Sequence, residues 1–257
     1  MQKTLAIALL TGALSVSLPA TTLSGQFTLV GTVTVTSGGQ IEWTSTSDVP
    51  SEATISSDGT LSGSFATLGN QTVTVNTLTD APGDQPVNTP FTDFNFIDFP
   101  SEPSFPALLA NFIPLGSATG TDCSTNVASA APNQTCTLDA TTTPPLPGGS
   151  PFTFLNTQTS VNQTPVCCTS TATWNISGVT SDGQSVWNGQ FTATFVFPYQ
   201  QVLSNFVANG EVADAYSGVM VVSIETPPAT VPEPTTLAFM GTGLVLLWLG
   251  TRRRKRV

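Results

Sequence analysis

Between Gln26 and Thr36 the side chains alternate, with Phe27, Leu29, Gly31, Val33 and Val35 on one side and Thr28, Thr32, Thr34 and Thr36 largely on the other. A period of two marks a half-buried strand, because successive side chains of an extended chain point to opposite faces. The pattern returns at Ile41 to Trp43, Leu61 to Phe65, Thr72 to Leu78 and Phe191 to Phe197, and at Thr171 to Ser177, where Ala172, Trp174 and Ile176 face one way. Gly38-Gly39, Asp58-Gly59 and Asp182-Gly183 supply tight-turn signals between these runs. Short Thr-rich strands separated by such turns predict an all-β body, an antiparallel β-sandwich or jelly roll.

Two stretches break the rhythm. Phe105 to Leu115 contains Ala107-Leu-Leu-Ala-Asn-Phe112 between prolines, and Tyr199 to Gly210 carries Val202, Leu203, Phe206 and Val207 at helical spacing before a glycine stop. Both are predicted as short capping helices. Thr141 to Pro151 is a run of Pro and Gly and reads as a loop. Ser57-Asp-Gly-Thr-Leu-Ser-Gly-Ser-Phe65 echoes Ser181-Asp-Gly-Gln-Ser-Val-Trp-Asn-Gly-Gln-Phe191, which suggests two similar hairpins in one domain rather than a repeat family.

Charge narrows the chemistry. All six Lys and Arg residues lie at the ends, as Lys3, Arg252, Arg253, Arg254, Lys255 and Arg256, and the chain has no His. The body between Thr4 and Thr251 is therefore a polyanion without internal salt bridges. It is expected to avoid nucleic acid and anionic lipid, and to meet acidic polymers only through a bridging cation. Without His or Lys there is no Ser-His or Cys-His nucleophile, no imidazole zinc site and no Schiff base. No cofactor is expected, and the body is not expected to be an enzyme.

Carboxylates remain the only acid-base groups useful near neutrality. Asp93 and Asp98 are the candidate pair for a secreted hydrolase, against a plainer reading as solvated strand-edge residues. Calcium is the metal that suits such an anion, with Asp80, Asp84, Asp58 and Asp182 as candidate donors, although none follows a known loop pattern. Trp43, Trp174 and Trp187 are candidate stacking platforms for sugars, against core packing. Asn70, Asn133, Asn162 and Asn175 each open an Asn-x-Ser/Thr triplet, which a Thr- and Asn-rich chain produces by composition.

Both ends read as export signals. Lys3 followed by the apolar run Leu5 to Leu18 and small residues up to Gly25 predicts a signal peptide over residues 1–24, with cuts after Ala20, Thr22 or Ser24 as alternatives. At the other end an uncharged run of seventeen residues, Thr235 to Thr251, makes a helix of roughly 25 Å at the short limit for a bilayer span. The basic cluster Arg252 to Arg256 would stay on the cytoplasmic side and leave the body outside. Before the span, Pro232 and Pro234 flank Glu233 and hold the chain extended.

Val231-Pro232-Glu233-Pro234, the short Gly-containing span and the terminal Arg/Lys cluster together resemble a PEP-CTERM sorting domain. The resemblance covers only the last 27 residues. It implies that an exosortase, a membrane-embedded processing enzyme, recognises the tail. The expected organisation is a signal peptide (1–24), a β-sandwich body (25–225), a linker with the Pro-Glu-Pro motif (226–234), a transmembrane helix (235–251) and a basic cytoplasmic tail (252–257). The expected function is structural or adhesive, in an exopolysaccharide or biofilm envelope, with a carbohydrate-binding module as the alternative.

An exported chain is oxidised, so Cys123, Cys136, Cys167 and Cys168 are expected to form two disulfides. Because neighbouring cysteines rarely bridge, Cys123 and Cys136 are each expected to pair with one of Cys167 and Cys168.

Overall fold

The computed structural model describes residues 22–225 except 82, 119–122, 140–141, 143–147 and 162–163. The chain divides into two units, Met1–Ile224 and Glu225–Val257, and the fold below belongs to the first. Most of the predicted signal peptide lies outside the described residues, as do the linker, the predicted transmembrane helix and the basic tail. Among the described residues no helix is long and apolar enough to cross a membrane.

The strands in chain order are β1 (Gly25–Thr36), β2 (Gln40–Thr44), β3 (Glu52–Ile55), β4 (Ser62–Gly63), β5 (Thr72–Val75), β6 (Leu78–Thr79), β7 (Phe94–Asp98) and β8 (Leu108–Phe112). After a 3-10 turn at Val127–Ser129 come β9 (Thr135–Cys136), β10 (Thr153–Val161), β11 (Thr164–Thr180) and β12 (Ser185–Phe195). The helix α1 (Tyr199–Asn209) and β13 (Glu211–Ile224) complete the body.

These strands do not form a sandwich or jelly roll. The path β12-β13-β1-β3-β5-β7-β8-β11 returns to β12, and so closes an eight-stranded barrel. Strand length explains the closure. β11 pairs with β12 along one edge from Ser170↔Phe195 to Val179↔Val186, while its C-terminal end pairs on the other edge with β8. β1 pairs with β13 from Gly25↔Val222 to Thr36↔Glu211 and offers its other edge to β2, β3 and β4 in turn. Each long strand thus has partners on both sides, and no edge remains to divide the wall into two sheets. Alternation cannot distinguish these outcomes, because a barrel wall and a sandwich layer both bury every second residue.

β12 shows the interior most clearly. Ser185, Trp187, Gly189, Phe191, Ala193 and Phe195 are buried, and the residues between them face outward. Large and small residues alternate along that row. At mid-height Phe191 stacks on Trp174 with centroids 5.4 Å apart, and Trp43 lies 5.1 Å from Phe191 on another side. Gly218 leaves the room for this ring, since a Cβ added there would stand inside Phe191. Trp187 stacks on Phe96 at 5.7 Å and donates its indole N–H to the carbonyls of Leu109 and Val179. Phe27, Phe65, Phe99 and Phe105 form a further aromatic cluster.

One of the two predicted helices is present. α1 covers the second stretch and ends at Gly210 in the left-handed conformation, with φ of 78°. The first stretch is instead strand β8. Leu108 and Ala110 are buried while Leu109 between them is only partly so, and the strand lies between β7 and β11. Pairing on both edges outweighs the helical propensity of Leu and Ala there. Asp182-Gly183 does turn β11 into β12, whereas Asp58-Gly59 leads only to the two-residue strand β4.

Candidate functional site

One end of the barrel is covered by α1. At that end β12 finishes, β13 begins and β1 gives way to the Gly38-Gly39 turn. The helix forms because Val202, Leu203 and Phe206 share one face, and its polar Gln200 is completely buried at the start. Two sets of hydrogen bonds fix it. Ser37 donates its N–H to the carbonyl of Gly210 at 2.6 Å, which ties the helix end to the turn after β1. The buried Asn156 of β10 accepts from the N–H of Tyr199 at 2.9 Å and donates to Gln200 Oε1 at 2.9 Å. Gln200 Nε2 in turn donates to Gln134 Oε1 at 2.8 Å.

Under this helix lies a cavity of about 310 Å³. Its barrel side is formed by Val33, Val35, Ala172, Trp174, Ala193 and Phe195, and its helix side by Val202, Leu203 and Phe206. Phe152 and Phe154 add two more rings. The polar groups are few. Gln85 is buried and accepts from the Thr79 N–H at 2.9 Å, and Asp80 Oδ1 accepts from the Val87 N–H at 3.1 Å. Asp214 stands in the inward-facing row of β13, opposite Val33 of β1 and two residues from the buried Tyr216. Its Oδ1 accepts from the Ala215 N–H at 2.7 Å, and burial raises its carboxyl above the ordinary value of 3.8 despite that bond.

Trp174 has an indole N–H with no hydrogen-bond partner among the described residues. Trp43 Nε1 and the Tyr216 hydroxyl share that condition beside it, and burial pushes the Tyr216 phenol upward. Buried donors are normally satisfied, so three together in one aromatic cluster are unusual.

The residues singled out from the sequence are placed differently from one another. Trp43, Trp174 and Trp187 are each 1% exposed, so they pack the barrel and cannot be surface stacking platforms. Asp98 ends β7 and Asp93 immediately precedes that strand, five residues or about 16 Å apart along an extended chain. Glycosidase carboxylates stand at about 5 to 9.5 Å, and the structure does not bring these two together. Each accepts instead from an asparagine amide, Asp93 from Asn111 and Asp98 from Asn95. Asp182 Oδ1 accepts from Thr180 and from the Gln184 N–H within its turn. Among the described residues no three carboxylates gather as calcium ligands would.

The cysteines form two disulfides, with a pairing other than the expected one. Cys123 joins Cys136, and Cys167 joins its neighbour Cys168. Strand register gives the reason. Cys136 lies opposite Phe154 of β10, which lies opposite Ala172 of β11. Cys168 is four residues farther along that strand, about 13 Å away, whereas a disulfide needs Cα atoms within about 7 Å.

Sequence reasoning did not find Asp214. The signal is nevertheless present, as an acidic residue in the alternating row Val212, Asp214, Tyr216, Gly218, Met220. Val231, Pro232, Glu233 and Pro234 lie outside the described residues, as do Arg252, Arg253, Arg254, Lys255 and Arg256.

Comparison with known proteins addresses this tail. No curated protein and no solved structure matches the chain. Residues 230–255 match the PEP-CTERM protein-sorting motif. The chain thus carries at its C-terminus the sorting signal of exported proteins that an exosortase recognises.

Proposed function

We propose that this protein is a structural or adhesive component of an exopolysaccharide envelope or matrix, delivered there by its sorting signal, and that its body is not an enzyme. The observation carrying this reading is the union of that signal with a body devoid of Lys, Arg and His from Thr4 to Thr251. Such a body meets an acidic polymer as one polyanion meets another, so contact depends on screening or on a bridging divalent cation. Burial of the tryptophans removes the aromatic platforms that a glycan-binding module would present. Supporting the non-enzymatic reading, the carboxylate pair proposed from sequence is held apart by the length of β7.

The test is binding of the exported protein to native anionic exopolysaccharide while salt and calcium are varied. Binding that rises with millimolar calcium and with ionic strength supports the adhesive reading. Binding that falls steeply as salt rises would require a positive surface, and would end it. Processing is tested separately: replacing Pro232, Glu233 and Pro234 by alanine is expected to leave the uncleaved chain at the membrane, with the Arg cluster still detected by mass spectrometry.

A further inference from the structure

The cavity under α1 has no role in the reading above. It combines an apolar shell with one inward-facing carboxylate, and its chemistry is selective. Phe152, Phe154, Trp174, Phe195 and Phe206 supply rings, and aromatic faces attract cations through their quadrupoles. Asp214 lines the same cavity, and the body holds no Lys, Arg or His to neutralise it. Asp80 is the other titratable group on the lining, and it too is an acid. Eight-stranded barrels have interiors of the size to hold one small ligand, and about 310 Å³ is at the lower end of ligand pockets.

We propose that this cavity binds a small aromatic amine, with its ammonium against Asp214 and its ring among the aromatic side chains between α1 and the barrel wall. Anionic ligands are disfavoured, because two carboxylates line the cavity with no cation to offset them. Neutral analogues keep the apolar contacts and lose the charge attraction. Site and ligand class are independent of the proposed envelope role, so either can fail alone.

The test uses the full-length chain in nanodiscs of zwitterionic lipid, with empty discs subtracted. Three probes of matched size are titrated by calorimetry: phenoxypropylamine, phenoxypropanol and phenoxypropanoate. The amine is expected to bind about tenfold or more tightly than the alcohol, with the carboxylate weaker than both. Asp214→Asn is expected to bring the amine to the level of the alcohol and to leave the alcohol unchanged. Ala193→Trp, which fills the cavity from β12, is expected to abolish all three. Equal binding of amine and carboxylate by the native chain would overturn the proposal, as would no binding of any probe. Neither outcome depends on a variant folding. An Asp214→Asn chain that folds and still prefers the amine would also overturn it.

Discussion

The side-chain amide of Asn156 donates to Gln200 Oε1 at 2.9 Å, while its carbonyl oxygen accepts from the N–H of Tyr199. One buried residue of β10 thereby holds both the backbone and a side chain of the helix that covers the cavity. Substitution with Leu keeps the branched shape but leaves the Tyr199 N–H without this acceptor and Gln200 Oε1 without this donor. Each buried group left unsatisfied costs about 1–3 kcal/mol. Asn156→Leu is expected to lower the melting temperature by several degrees and to speed amide exchange in α1 more than in β12. Unchanged exchange in α1 would show that the helix is held by its apolar face alone.

Disulfide connectivity gives a second prediction. The Cys123–Cys136 bond closes a segment with a sequence separation of 13, for which the chain-entropy model gives about 3 kcal/mol. Replacing both residues by Ser is expected to lower the melting temperature clearly. The Cys167–Cys168 bond joins neighbours and restrains no loop, so the double Ser variant there is expected to melt close to the native protein. Peptide mapping with a protease specific for aromatic residues checks the pairing directly.

A third concerns the start of the mature chain. Leu23 is fully buried, and its carbonyl accepts from the buried Ser185 hydroxyl at 2.8 Å. Ser24 accepts from the N–H of Ser64 at 2.8 Å and donates its own N–H to the Ser64 hydroxyl. A cut after Ser24 would remove both residues from the barrel. N-terminal sequencing of the exported protein is expected to begin at or before Leu23. A first residue of Gly25 would contradict the packing seen here.

A fourth follows from Asp214. Burial raises its carboxyl above 3.8 in the folded state, so its favourable contribution is complete below that value and is lost as pH rises through the raised one. The native chain is therefore expected to lose some stability across this window, and Asp214→Asn to lose less. The two should melt together at lower pH and separate above it, with the variant the more stable. Because the carboxylate keeps considerable solvent contact, the separation is expected to be small.

How far the sequence disclosed this structure depends on the range of the interaction involved. β1 was legible because its alternation is local, and α1 because an apolar face ends at Gly210. Closure was not legible, since it depends on β11 meeting both β8 and β12, from segments far apart in the chain. β8 was hidden because Leu108-Leu109-Ala110 has the composition of a helix and takes its strand form from neighbours on both edges. Cysteine pairing failed for the same reason, as the register that separates Cys136 from Cys168 is set by β10. The sorting motif was legible outright because it is a linear signal, matched over residues 230–255. The cavity was invisible, because its lining is gathered from the loops, strands and helix at one end of the barrel.

Closure of the barrel has a consequence for crowding. An open sheet edge carries unpaired N–H and C=O groups that invite another copy to add a strand. Here the eight wall strands have partners on both sides along the wall, while outside it β10 keeps an open outer edge beyond its short pairing with β9 at Phe154 and Leu155. Copies packed side by side in a polymer therefore find no backbone template along the closed wall, and their like charges keep them apart. Such a protein can accumulate to high local density and remain a population of separate particles rather than become a fibre.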